Sequence, residues 1–396
     1  MKKLFVVWFA ALLLVVFAAP AVAKVELGGI VFVDFMRIDR DKDSTQWYWL
    51  GDGSTSYSNL SVTVPAISRL YARWTNEDNV GMYIELGIGQ PDSWYYSQGS
   101  ENRTELRKAY GWWDIGDFQV MAGKSTTPLS PLNPDALLGA VITNCIGEGY
   151  GELYSGRTAQ VRGTWKFANW GRLAVALVDP NGRKEYGGEY GPWYGRDVQS
   201  HNILPRLDVG APMYFSSLGI YPSLMVQKRS ADVSGGGSDS DVISWAGSLG
   251  VKGEFHPFTF KVEINMGQNL GNTTVGMGDS LPGYICSAVI DSSGKLNDAR
   301  SYLGFVDLGY NFSIFGRSSQ LHFIYGVSYA EVGYDGRDIT ARSDMWGFSL
   351  PVDIAKGLRV RAEWMNYDDG SVDFPGHGSS AFGKYAIYGV QFQITF

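Results

Sequence analysis

Downstream of residue 23 the 396-residue chain contains no apolar run long enough to cross a bilayer as a helix, which excludes a mature helical membrane protein. Charge is also sparse, at 18 % of residues against about a quarter in ordinary soluble domains. Cysteine occurs twice, at the widely separated Cys145 and Cys286, so a metal site of clustered cysteines is excluded and an oxidising compartment fits. Histidine occurs four times, at His201, His256, His322 and His377. None has an acid and a nucleophile as local neighbours, so a hydrolase of the Ser-His-Asp kind would need long-range assembly. No c-type haem motif is present, and nothing suggests a cofactor or a nucleic-acid partner.

What is abundant is glycine (50), tyrosine (23) and tryptophan (13). The first 23 residues, MKKLFVVWFAALLLVVFAAPAVA, join two lysines, an apolar run and an Ala21-Val22-Ala23 site, the three parts of a secretory signal peptide. The run is short for a single membrane anchor, the other reading of that segment. A mature chain beginning at Lys24 is expected; losing two lysines takes the formal charge from −7 to −9. An exported, acidic chain rich in glycine and aromatics fits a Gram-negative outer-membrane barrel.

Parity supports that class. In Val80–Ile88 the even positions are aliphatic or Met and the odd ones Gly, Tyr and Glu. The alternation returns at Thr158–Phe167, Phe260–Met266, Gln320–Tyr329, Trp346–Ile354 and Leu358–Trp364. A soluble sandwich also alternates, but the connections favour a barrel. Short ones (NEDN at 76–79, GD at 116–117, ANWG at 168–171, SSLG at 216–219, HP at 256–257, GRSS at 316–319, AKG at 355–357) alternate with long ones near 39–61, 90–104, 125–156, 180–202, 229–241, 270–299, 332–342 and 368–383. Seven turns and eight loops join sixteen strands, and an even count leaves both termini on the periplasmic side. The expected fold is all-β: one domain over 24–396, a 16-stranded antiparallel transmembrane β-barrel with an inward-folded third loop.

A barrel of this size encloses a lumen that side chains alone do not fill, so an aqueous channel is the default consequence. The third loop, about 125–157, has an apolar centre, Leu137 to Ile142, which suits packing against the inner wall. Parity puts Arg69 and Arg73 on the inner face of the second strand, Lys108 on that of the fourth, and Arg162 and Lys166 on that of the sixth. Parity leaves strands one, four and five open, so Lys108 and Lys124 could each be turned the other way. The loop offers Asp135, Glu148 and Glu152. A basic wall facing an acidic loop would set a transverse field; the alternative is charges that merely pair and solvate a balanced lumen. Arginine suits carboxylate and phosphate, and Arg359 and Arg361 add the same polarity, so an anion or dicarboxylate preference is expected. Two Asp-rich loops, Asp39-x-Asp41-x-Asp43 and Asp368-Asp369 with Asp373, lack the full calcium-loop pattern and read as solvated charge.

The passage ELRKAYGWWDIGDFQVMAGKSTTPLSPLNPDALLG resembles the strand-turn-strand-constriction passage of trimeric general porins. VELGGIVFVDF, GRTAQVRGTWKF and LPRLDVGAPMYF, in that order, resemble DcaP-like porins, while the acidic constriction motif of enterobacterial porins is absent. The resemblance implies a sixteen-stranded homotrimer with one pore per subunit, set in outer-membrane lipid and lipopolysaccharide and passing small hydrophilic solutes. The closing KYAIYGVQFQITF, with Phe392 and the terminal Phe396 on its apolar parity, resembles the signal read by the barrel-assembly machinery. Cys145 and Cys286 would form either a disulfide pinning the third loop to the sixth or two buried free thiols. Two other functions remain: a sheath or scaffold for an electron-carrier complex or adhesion partner, and an outer-membrane hydrolase dependent on His322.

Overall fold

The structure, a computed structural model, describes residues 24–47, 55–65, 67–89, 105–138, 150–153, 156–180, 198–201, 203–233, 240–273, 286–291, 295–374 and 378–396. Sixteen antiparallel strands form one sheet closed on itself. They are β1 Lys24–Arg40, β2 in two pieces Tyr57–Thr63 and Arg69–Thr75, β3 Val80–Gly87, β4 Glu105–Ile115, β5 Phe118–Thr126, β6 Arg157–Ala168, β7 Gly171–Val178, and β8 in three pieces Val198–His201, Arg206–Gly210 and Met213–Phe215. There follow β9 Leu218–Val233, β10 Ser240–Phe255, β11 Phe258–Gln268, β12 Ala299–Ile314, β13 Arg317–Tyr334, β14 Arg337–Ala355, β15 Leu358–Asp368 and β16 Lys384–Thr395.

Closure is made by β1 and β16, with Ile30 opposite Thr395 and Arg40 opposite Tyr385. Beyond that ladder Phe396 and Gly29 exchange both backbone hydrogen bonds at 3.1 Å, so the terminal residue seals the seam. A closed sheet has no unpaired edge, which a barrel in hydrocarbon requires. The seven short turns fall where expected. The loop expected near 332–342 is instead mostly strand: β13 and β14 meet at Asp335-Gly336, both at positive φ (49° and 75°), a tight turn that lets both strands run on. Elsewhere a short helix, α1 at Lys42–Trp47, follows Asp41, whose Oδ1 accepts from the Ser44 amide at 2.8 Å and whose Oδ2 accepts from the Lys384 amide at 2.8 Å. Asp41 therefore staples the first loop to β16, while Asp39, on the outer face, pairs with Arg37 at 2.9 Å.

The outer face exposes Phe35, Leu177, Leu224, Ile264, Leu308, Phe348, Trp364 and many similar side chains. A band of this kind is unsuited to water and suited to lipid. No helix among the described residues is long and apolar enough to cross a membrane. The inner face departs from a purely polar lining. Phe32, Met36 and Ile38 of β1, Ile324 of β13, Met345 of β14, Met365 and Tyr367 of β15, and Tyr385 and Ile387 of β16 form an apolar inner patch, and Ala136, Leu138 and Tyr150 of the third loop pack on it. Farther round, Leu129 and Leu153 of the same loop pack with Met225, Ala246, Leu270, Leu303, Ala330 and Phe382. A segment that touches the same face of strands spread round a closed barrel lies within the barrel.

Candidate pore and constriction

The third loop is held chiefly through its main chain. Glu263 of β11 accepts from the Ser130 hydroxyl and, at 3.3 Å, from the Leu132 amide. Asp307 of β12 accepts from the Asp135 amide at 2.7 Å, and Glu363 of β15 accepts from the amides of Leu137 (3.0 Å) and Leu138 (2.7 Å). On the returning limb, the Gly151 amide donates to the Ser328 hydroxyl of β13 at 2.8 Å. Wall carboxylates thus satisfy amides that a loop crossing a lumen leaves without sheet partners. Inner-wall glycines make room for the crossing. A Cβ on Gly210 would crowd the Pro128 carbonyl, one on Gly250 would crowd Leu132, and one on Gly326 would collide with the Tyr150 carbonyl.

These anchors lie between β8 and β15, and with the Gln391 amide of β16 donating to the Leu137 carbonyl at 3.2 Å and the apolar contacts to β1 and β16, the described residues of the loop sit along the inner wall from β8 round to β1. The inner residues there are mostly buried, including Glu263, Asp307, Ser328, Ser349 and Glu363. Across the barrel, the inner face of β2 to β7 is more exposed: Glu85, Arg107, Trp112, Met121, Gln160 and Ala176 are buried, but Arg69, Tyr71, Tyr83, Asp114, Gln119, Arg162 and Thr164 are half-buried, and Arg73, Lys166 and Arg172 are exposed. Among the described residues, the most accessible part of the inner face lies along that wall.

Its charge is mainly positive. Glu85 of β3 accepts from Arg107 Nε at 2.8 Å and from the Tyr83 hydroxyl at 3.0 Å, with Arg69 Nε at 3.7 Å and Lys108 Nζ at 3.9 Å. Three cations therefore share one carboxylate. Arg107 escapes a parity reading because the β3–β4 register shifts at Glu85/Leu86, so that Glu85 faces Lys108 and Leu86 faces Leu106. The bulge turns two consecutive residues toward Glu85. Lys124 lies on the outer face, donating to the Leu106 carbonyl at 2.7 Å. Arg73 stands over the Trp112 ring at 5.2 Å, and Arg162 donates to the Thr126 carbonyl at 3.3 Å.

The expected acidic side is distributed differently. Asp135 keeps 40 % side-chain exposure but bonds Lys261 of β11 at 2.7 Å, with His322 Nδ1 at 3.8 Å. Glu152 is fully buried, and Glu148 lies outside the described residues. Arg361 is buried against Glu363 at 3.3 Å, while Arg359 makes a two-point pair with Asp353 at 2.7 and 3.2 Å. Cys286 is a buried free thiol, and Cys145 lies outside the described residues. Phe392 stays on the outer face, its ring edge-on to Phe35 at 5.7 Å.

His322 meets Asp307 at 2.6 Å, a base beside an acid that the local sequence does not suggest. Among the described residues it makes no hydrogen bond to a hydroxyl or thiol, so a nucleophile is not part of the group. Ligand atoms of Asp135, Asp307 and His322 lie within 4.8 Å of one another, and the Lys261 ammonium on Asp135 already supplies a cation there. Beneath the start of the loop, Arg206 and Asp208 of β8 form a fully buried two-point pair at 2.8 and 2.7 Å.

The architecture defines a class: a sixteen-stranded barrel with the fold of the outer-membrane porins. Among solved structures, the outer-membrane channel DcaP of Acinetobacter baumannii is similar over 96 % of this chain and 99 % of its own, with 15 % identity and a TM-score of 0.65. The anion-selective porin from Comamonas acidovorans matches over 94 % of this chain and 100 % of its own (12 %, 0.56), and the Vibrio cholerae outer-membrane protein OmpT in its trimer form over 94 % and 99 % (13 %, 0.54). No protein-family model and no curated protein matches the chain.

Proposed function

We propose that the protein is an outer-membrane channel for passive diffusion of small hydrophilic solutes, without catalytic activity, and that it favours anions. The observation that carries this reading is the division of the lumen. The described residues of the third loop lie against one side of the inner wall, and the more exposed side presents Arg69, Arg73, Lys108, Arg162, Lys166 and Arg172 around two carboxylates, Glu85 and Asp114, with Arg107 buried against Glu85. Guanidinium groups suit carboxylate and phosphate, and fixed positive charge in a narrow aqueous path raises the local anion concentration. The net −9 expected after loss of the signal peptide does not oppose this, because selectivity follows the charges lining the path.

The apolar outer band supports residence in lipid, and the signal-peptide pattern read in residues 1–23 supports export to the outer membrane of a Gram-negative cell. The trimer form of the Vibrio protein and the resemblance to trimeric porins support a homotrimer. Purified protein in a planar bilayer across a potassium chloride gradient should show open, ohmic channels with a reversal potential of the sign set by chloride. A cation-selective sign, or correctly folded protein that stays closed, would sink the proposal.

A further inference from the structure

The open wall carries more than charge. Tyr71 of β2, Tyr83 of β3, and Tyr110 and Trp112 of β4 all point inward and form one run of rings: Tyr71 to Tyr83 at 5.9 Å and 24°, Tyr83 to Tyr110 at 5.5 Å and 33°, Tyr110 to Trp112 at 5.9 Å and 48°. Two of these rings lie against glycines. A Cβ on Gly28 would collide with the Tyr71 ring, and one on Gly81 with the Trp112 ring. The missing side chains let both rings lie against the wall. The Arg73 guanidinium stands 5.2 Å from the Trp112 ring, and Lys108 Nζ 6.0 Å from that of Tyr83. The run begins beside the Glu85 cluster and ends near the short 116–117 turn, so it follows the path from mid-barrel to the periplasmic mouth. Among the described residues, none of the loop's anchors reaches these strands.

From this juxtaposition we infer that the β2–β4 wall is a stacking subsite for ring-bearing anions, solutes that join a flat or pyranose ring to a carboxylate or phosphate. The ring face lies on the tyrosines while the anionic group meets Arg69, Arg73 or Lys108. Stacking on an aromatic face tolerates any ring with an apolar face, and a neighbouring cation fixes the charged end. An open-chain anion of equal charge gains the second contact but not the first.

The inference rests on the channel reading, and the test separates the two. Flux of glucuronate against gluconate, a ring and its open-chain counterpart of equal charge, is measured in bilayers with the full chain, with benzoate against hexanoate as a second pair. In the native protein the ring should be favoured by about fivefold or more in at least one pair, the ratio that about 1 kcal/mol of stacking gives. The pair that responds says whether sugar or aromatic rings fit. The preference should fall to near unity in Tyr83→Leu/Tyr110→Leu, which keeps apolar bulk without the ring face; the single Tyr83→Leu serves if the double variant does not fold. Ratios near unity in both pairs, or a preference that survives the substitutions, overturn the inference. If chloride selectivity stands in that case, the subsite alone has failed; if it is lost, the anion-channel reading has failed too.

Discussion

Arg206 and Asp208 stand two residues apart on one face of β8, and neither side chain has any exposure. Leaving one charge of such a pair alone in a buried site costs about 3–5 kcal/mol. Arg206→Ala should therefore lower folded stability by an amount of that order, read as a fall in the barrel's unfolding temperature. Asp369 is another buried charge, in the last loop, where it accepts from the Tyr150 hydroxyl of the third loop. Burial pushes its carboxyl up to about 7, against the pull of the Tyr150 hydroxyl and the Arg40 guanidinium. The folded value lies above the ordinary 3.8, so the stabilisation is complete below about 3.8 and is lost as pH rises through about 7. Thermal stability should fall between about pH 4 and pH 7 by an increment that Asp369→Asn lacks, and equal pH profiles for the two proteins would refute the assignment. Single residues like these were the least legible in the sequence. Asp369 reads there as solvated loop charge, and only the tertiary fold buries it beneath a loop more than two hundred residues away.

Strands and turns were far more legible. A strand shows its two faces at every second residue, so the facing of Arg69, Arg73, Arg162 and Lys166 is readable from the sequence. The parity rule failed where its premise failed. The bulge beside Lys108 shifted the register and brought in Arg107, and the Asp335-Gly336 dipeptide, a strong hairpin signal, lies within what composition alone reads as a long loop. The apolar Met36, Tyr385 and Ile387 on the inner face read against a polar lining because they pack with the third loop rather than with water. Inner-face glycines were the available trace of that loop's path, since Gly326 leaves room for the Tyr150 carbonyl. Gly326→Val should press the returning limb off the wall, at a cost of about 1–3 kcal/mol for overpacking. Single-channel conductance and its fluctuation should change with it, whereas a valine on the outer face nearby should leave the current unaltered.

The whole barrel depends on one seam. β1 and β16 are at opposite ends of the chain, so closure comes only after every other strand exists, and Phe396 lies at the last pair of hydrogen bonds. Its ring rests over Gly29, where a Cβ would collide with it. Deleting Phe396 should reduce the yield of assembled protein in the outer membrane several-fold more than it changes the conductance of barrels that do form. Heat-modifiable migration on gels measures the first and bilayer recording the second.

Glu263, Asp307 and Glu363 grip main-chain amides, and every residue except proline has one to offer. Loop side chains that take no part in the seat are therefore free to change, whereas Leu129, Ser130, Ala136, Leu138, Tyr150 and Leu153, whose side chains pack or bond against the wall, are not. The barrel is in this respect a socket with an exchangeable insert: new filters could be written into the remaining loop positions by substitution, provided proline is kept from positions 130, 132, 135, 137, 138 and 151, whose amides hold the loop.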